Sequence, residues 1–119
     1  MTVTIFHNPR CSKSRETLAL IESRGILPRV IRYLDAPPDA ASLKRITEQL
    51  DLPAHSIVRH KEPDYAVSGL TAQSTDEQIF KALSEWPRLL ERPIVVVEHE
   101  GETRAAIGRP PSAVEAILP

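Results

Sequence analysis

The 119-residue chain has one cysteine, four glycines and no long apolar run. A single cysteine excludes an intrachain disulfide, and a chain built this way fits a reducing compartment. The few, scattered glycines leave no glycine-rich loop of the kind that cradles phosphates. Charge of either sign is not in excess, with 15 Lys and Arg against 16 Asp and Glu. That balance gives no electrostatic case for nucleic acid or for an anionic membrane surface as a partner. No apolar stretch approaches bilayer length, and the N-terminus lacks the basic-then-apolar pattern of a secretory signal. His7, Cys11, His55, His60 and His99 include no ligand pair at the usual zinc spacing. Repeats, low-complexity tracts and domain linkers are also missing. These absences predict one soluble, cytoplasmic domain over residues 1–119, large enough for one real core.

The hydrophobic pattern gives the order of elements. Thr2 to Phe6 alternates as a strand. A helix is predicted from about Ser12 to Arg24, with Leu18 and Ile21 on one face, Thr17 and Leu20 flanking, and Arg15, Glu16 and Glu22 toward solvent. Gly25 stands where a left-handed cap is required. Arg29 to Tyr33 reads as a second strand, so the first unit is a right-handed βαβ crossover with parallel strands. Asp35-Ala36-Pro37-Pro38 breaks the chain. A helix from about Ala40 to Leu50 follows, with Leu43, Ile46 and Leu50 at helical spacing.

Residues 53–75 are the least regular stretch and predict short helical turns and loops. Thr75 is a good N-cap with Gln78 at the capping-box position, and its helix is expected to reach Glu85 with Ile79, Phe80 and Leu83 inward. Pro87 ends or kinks it. Ile94-Val95-Val96-Val97 is the most strand-like run, Glu100-Gly101 supplies a tight turn, and Thr103 to Ile107 returns antiparallel. Ser112 to Leu118 is read as a short closing helix. The order β-α-β, all-helical middle, β-β-α predicts an α/β, thioredoxin-like plan. Its two halves share one mixed four-stranded sheet, with a helical insertion between them. The eleven prolines fall at element boundaries, as this reading requires.

Cys11 sits where a thiol is chemically active. The β-branched run ends at a His7-Asn8-Pro9-Arg10 turn, and the helix begins at Ser12. The thiol is therefore expected in or beside the first helical turn, next to unpaired N–H groups and the positive end of the helix dipole. With Arg10, Lys13 and Arg15 close in sequence, these features favour thiolate, the nucleophilic form, and would hold an anion near the sulfur. A lone cysteine can also be a small buried hydrophobe, but its polar and cationic neighbours argue against an apolar pocket.

The segment His7-Asn8-Pro9-Arg10-Cys11 followed by Ser14-Arg15 resembles the opening motif of glutaredoxin-dependent arsenate reductases. Four further segments are similar to that family in register. They are Tyr33-Leu34-Asp35-Ala36-Pro37-Pro38, Val58-Arg59-His60-Lys61-Glu62, Glu91-Arg92-Pro93-Ile94-Val95-Val96 and Ile107-Gly108-Arg109-Pro110-Pro111. The resemblance covers nearly the whole chain and is specific as a set.

It implies that Cys11 is the nucleophile, that His7 lies beside the thiol, and that Ser14 donates to the thiolate. Arg59, Arg92 and Arg109 would bind the oxyanion. Planar forked donors suit a tetrahedral oxyanion better than an ammonium does, and they screen its repulsion with a thiolate. The resemblance further implies arsenate as substrate, glutathione as co-substrate, glutaredoxin as protein partner and no bound cofactor. Because the chain has no second cysteine, the resolving thiol must come from outside. By position, Arg92–Pro93 is expected to be cis and to aim backbone groups at the site. The chain departs from the family at Arg10, Ser12 and Lys13, which are bulkier or more basic than the small residues expected there.

Other chemistries fit less well. A low-molecular-weight tyrosine phosphatase needs arginine six residues after the cysteine, where Thr17 stands. A dithiol oxidoreductase needs cysteine in place of Ser14. Spx-type regulators, which bind RNA polymerase through the same fold, lack the full arginine set. A reductase of another oxyanion or of a glutathione mixed disulfide would use the same thiolate and arginines. A monomer is expected, because no apolar face is left over once the core is assigned.

Overall fold

The computed structural model describes residues 1–119. Their Cα positions group into two compact units, Met1–Tyr33 with Arg92–Pro119, and Leu34–Glu91.

In the first unit, the alternating β-branched residues at the N-terminus form β1, Thr2–His7. After a short turn comes α1, Ser12–Ser23, then β2, Arg29–Arg32. The remaining strands are β3, Ile94–His99, and β4, Glu102–Ile107. The sheet order is β2-β1-β3-β4. β1 runs parallel to β2 with Ile5 opposite Val30, and antiparallel to β3 with Ile5 opposite Val95. β3 and β4 are an antiparallel hairpin through Glu100 and Gly101, both at positive φ. The fold is therefore the mixed α/β, thioredoxin-like sheet that the order of elements predicted.

Val3, Ile5, Val95 and Val97 point to one face of the sheet. There they pack with Ile21 of α1 and with Val114 and Leu118 of the C-terminal segment. Ile94–Val97 are buried at four consecutive positions, as a continuous apolar run in an inner strand requires. The closing segment differs from the α-helix predicted. It is a 3-10 helix, Pro111–Ala116, entered through Pro110 and Pro111. The segment is short, as 3-10 helices usually are, and it places Val114, with Leu118 just beyond it, against the sheet.

The buried stripe of α1 also differs from the expected one. Ser14, Thr17 and Ile21 are buried, whereas Leu18 and Leu20 are only partly covered. The stripe is polar at its N-terminal end because both hydroxyls have partners. Ser14 Oγ lies 2.6 Å from His7 Nδ1, and Thr17 Oγ1 donates to Lys13 O at 2.8 Å. Gly25, at φ +75°, donates to Glu22 O and ends the helix region as foreseen.

The second unit is helical. α2, Ala40–Leu50, is capped by Asp39, whose carboxylate accepts from Ser42 N at 2.8 Å, and it buries Leu43, Ile46 and Thr47. The irregular stretch contains a 3-10 turn, Ala54–Ile57, and the short helix α3, Asp64–Ser68. α4, Asp76–Glu85, starts at the predicted capping box, with Thr75 Oγ1 accepting from Gln78 N and Gln78 Oε1 accepting from Thr75 N. Its inward residues are Ile79, Phe80, Ala82 and Leu83, and it packs on α2. Pro87 opens a 3-10 turn, Pro87–Leu89. The chain then returns beside Ile57 and Val58 through an isolated antiparallel bridge, Val58 to Leu90.

No helix is long and apolar enough to cross a membrane.

Candidate active site

The site is assembled at the C-terminal end of β1. Asn8 and Pro9 begin a turn in which Cys11 N donates to Asn8 O at 3.0 Å. Asparagine and proline at the first two turn positions favour this geometry. Asn8 Oδ1 accepts from Arg10 N at 3.0 Å, and Arg15 reaches back to donate to Pro9 O at 2.9 Å. These bonds pin the turn to the first coils of α1.

Cys11 is the N-cap residue of α1, extended at φ −93° and ψ 121°, and its carbonyl accepts from Arg15 N at 3.0 Å. Its thiol is half-buried, and the helix-start N–H groups anticipated from the sequence act on it together with Arg92 from the far end of the chain, whereas the expected charges of Arg10, Lys13 and Arg15 are not among its main influences. Partial burial pushes the thiol pKa up. That effect is outweighed by the Ser14 N–H, the Arg92 positive charge, the Lys13 N–H and a hydrogen bond from the Arg92 side chain, so the net shift is downward. Thiolate is thereby favoured by two helix-start amides and one guanidinium.

His7 is 6 % exposed at the end of β1. Burial, followed by the charges of Arg32 and Arg15, lowers its pKa against a smaller opposing effect of Glu22. The ring is thus held neutral. Ser14 Oγ accepts from Asn8 N at 3.0 Å and shares a hydrogen bond with His7 Nδ1 at 2.6 Å. The Ser14 hydroxyl ties His7 to the turn, and the Ser14 main-chain N–H is among the groups that lower the Cys11 pKa.

Arg92 precedes β3, and the Arg92–Pro93 bond is cis, in agreement with the expectation from its position. Arg109 follows β4, is exposed, and donates from Nη1 to Arg92 O at 3.5 Å. The Arg109–Pro110 bond is also cis, which the sequence reading did not anticipate. The hairpin thus brings the two arginines together at the end of the sheet. Arg59 belongs to the helical unit. Its backbone N–H donates to Leu89 O at 2.7 Å, and its guanidinium reaches Glu62 at 3.0 Å and Arg88 O at 3.1 Å.

Two residues the sequence reading did not single out for the site stand within it. Asn8 closes the turn that presents Cys11. Gly108, just before Arg109, lies against Thr17 of α1 and Pro93. The signal for Asn8 was its place before proline. Gly108 carried no local signal, because what constrains it lies far along the chain.

A half-buried thiol with lowered pKa at the N-cap position of a helix, at the end of a mixed sheet, defines a thioredoxin-like protein with a single cysteine at its candidate site. Residues 6–117 match the ArsC family. An arsenate reductase of Neisseria meningitidis is 45% identical over 118 residues, covering 98% of this chain and 97% of that protein. The uncharacterized protein YfgD of Escherichia coli is 43% identical, covering 98% and 96%. Among solved structures, an arsenate reductase from Vibrio cholerae superposes with a TM-score of 0.89 at 48% identity, covering 99% and 98%. The chain belongs to the ArsC family.

Proposed function

We propose that this protein is an arsenate reductase, an oxidoreductase that takes arsenate to arsenite through Cys11. The observation that carries the reading is Cys11 at the N-cap of α1, half-buried, with its thiol pKa lowered by the amides of Ser14 and Lys13 and by Arg92. The near-full-length similarity to arsenate reductases supports it. Such a centre binds an oxyanion and attacks it, because the groups that favour thiolate also neutralise the incoming charge.

The Cys11 thiolate attacks arsenic, and a protonated arsenate oxygen leaves as water, giving a Cys11–arsenate thioester. Glutathione's thiolate attacks the arsenic and displaces a second oxygen as water. A glutaredoxin thiolate then attacks the glutathione sulfur, forming a glutaredoxin–glutathione disulfide. The electron pair of the breaking arsenic–sulfur bond stays on arsenic, reducing it from the +5 to the +3 state. Water finally releases arsenite and returns the Cys11 thiol. Two external thiols are oxidised and none in this chain, in keeping with its single cysteine. Arg92 and Arg109 are the oxyanion ligands of the first unit, and Arg59 is the third by family resemblance. The working form is a cytoplasmic monomer without bound cofactor, with glutathione and glutaredoxin as its thiol partners.

Arsenate-dependent NADPH oxidation, with glutathione, glutaredoxin and glutathione reductase supplied, tests the reading. The wild type is expected to turn over and Cys11→Ser to be inactive while folded. A wild type that is inert toward arsenate although its thiol still alkylates would overturn arsenate as the substrate.

A further inference from the structure

Three of the four glycines, Gly25, Gly69 and Gly101, lie at positive φ, and a Cβ on any of them would meet nothing within 4 Å. They are required by backbone conformation. Gly108 is the reverse. It lies outside the left-handed region, and a Cβ there would stand 2.5 Å from Thr17 Oγ1, 2.8 Å from Pro93 Cγ and 3.1 Å from Thr17 Cγ2. Ordinary van der Waals contact begins at 3.4 Å. Only glycine lets these three segments meet as closely as they do.

What meets at this point is the framework of the site. Gly108 N donates to Pro93 O at 2.9 Å, extending the β3–β4 ladder one step beyond Ile94 and Ile107. Arg92 and Arg109 flank the two residues so joined. On the other side, Thr17 is fully buried on the α1 face that carries Ser14, and its hydroxyl donates to the carbonyl of Lys13. The amides of Ser14 and Lys13 are the ones that favour the Cys11 thiolate. The contact therefore joins the helix start that holds the sulfur to the hairpin end that holds two arginines.

We propose that Gly108 and Thr17 are positioning residues for the oxyanion site, their backbone-to-side-chain contact setting where Arg92 and Arg109 stand relative to the Cys11 thiolate. The assignment of the arginines to an oxyanion rests on the function proposed above. Placing a methyl group at position 108 forces a separation of about 1 Å between α1 and the hairpin end, and displacements of that size cost up to roughly a hundredfold in oriented chemistry. Thr17→Ala removes two of the three opposing atoms, so it makes room for the methyl group without touching either arginine.

Cys11 is the chain's one cysteine, so every thiol alkylated by iodoacetamide is Cys11. Two quantities are read: the pH midpoint of alkylation, and the arsenate concentration that halves its rate. Gly108→Ala is expected to raise the midpoint and to require at least tenfold more arsenate. Gly108→Ala with Thr17→Ala is expected to recover most of both changes, which a general loss of folding would not do. A Gly108→Ala protein equal to wild type in both readouts would overturn the proposal, as would a folded double variant no better than the single one. Should Gly108→Ala alone fail to fold, the double variant is compared with Thr17→Ala. The remaining overlap with Pro93 then predicts about threefold weaker protection, and equality counts against the proposal. If arsenate fails to protect the wild type, the oxyanion reading falls. The alkylation midpoints still decide whether Gly108 positions Arg92.

Discussion

Cys11 is the N-cap residue of α1, and its side chain makes no capping hydrogen bond; the nearby amides of Ser14 and Lys13 lower the thiol pKa, the effect expected of donors that favour a thiolate at that position. Ser14 contributes one of those N–H groups, and its hydroxyl has other work with His7 and Asn8. The two roles are separable. Ser14→Ala keeps the amide, so it should leave the alkylation midpoint close to wild type. It should lower stability by about 1–3 kcal/mol, because the half-buried Asn8 N–H loses its acceptor. Arg92→Ala should raise the midpoint toward that of an ordinary thiol. Alkylation of both variants across pH checks this directly. If Ser14→Ala moved the midpoint as far as Arg92→Ala, the hydroxyl and not the amide would be serving the thiolate.

Among the elements, α1 connects core to chemistry. Its N-terminal turn holds Cys11, and two turns later Ile21 is fully buried against Val3, Ile5, Val95 and Val97. The apolar anchor keeps the helix start fixed at the end of β1. Ile21→Ala should cost about 2–5 kcal/mol through lost burial and a residual cavity, read as a lower urea midpoint. A loss below 1 kcal/mol would mean that neighbouring side chains collapse into the space. The order of elements and most boundaries were legible because periodicity and capping agree with the tertiary result. α2 begins and ends at the residues read from the sequence, and the Thr75 capping box forms as drawn. The closing segment was misjudged because its predicted apolar spacing suits either helix type. The structure makes it a 3-10 helix that opens on Pro111 and buries Val114. The bridge that carries Arg59 was also invisible, since pairing Val58 with Leu90 joins residues far apart in sequence.

At the level of the whole molecule, both titrating groups of the site link stability to pH with the same sign. His7 has a lowered pKa in the folded state, so the unfolded chain takes up its proton first. Stability therefore falls as pH drops from the ordinary histidine range through the lowered value. Cys11 has a lowered pKa as well, so the folded chain releases its proton first. Stability rises from that lowered value up to the ordinary thiol range. Thermal unfolding midpoints across pH should show both slopes. His7→Gln is expected to flatten the acid-side slope and leave the alkaline one. An acid slope unchanged in that variant would assign it to other groups.

The sequence alone determined the element order, the mixed thioredoxin-like sheet and the single thiol at a helix start, each of which follows from local periodicity, turn chemistry or composition that a linear chain displays. The candidate arginines came from the resemblance of whole segments to a family and from no local pattern. Tertiary structure decided that the Ser14 hydroxyl is engaged by His7 and Asn8 and that the small hydroxyls of α1 are buried in place of Leu18. It also decided that Gly108 is glycine for want of space and not for its backbone angle. The last of these depends on segments some ninety residues apart coming within one atom's width of each other, and the pattern along the chain carries no trace of a distance across it.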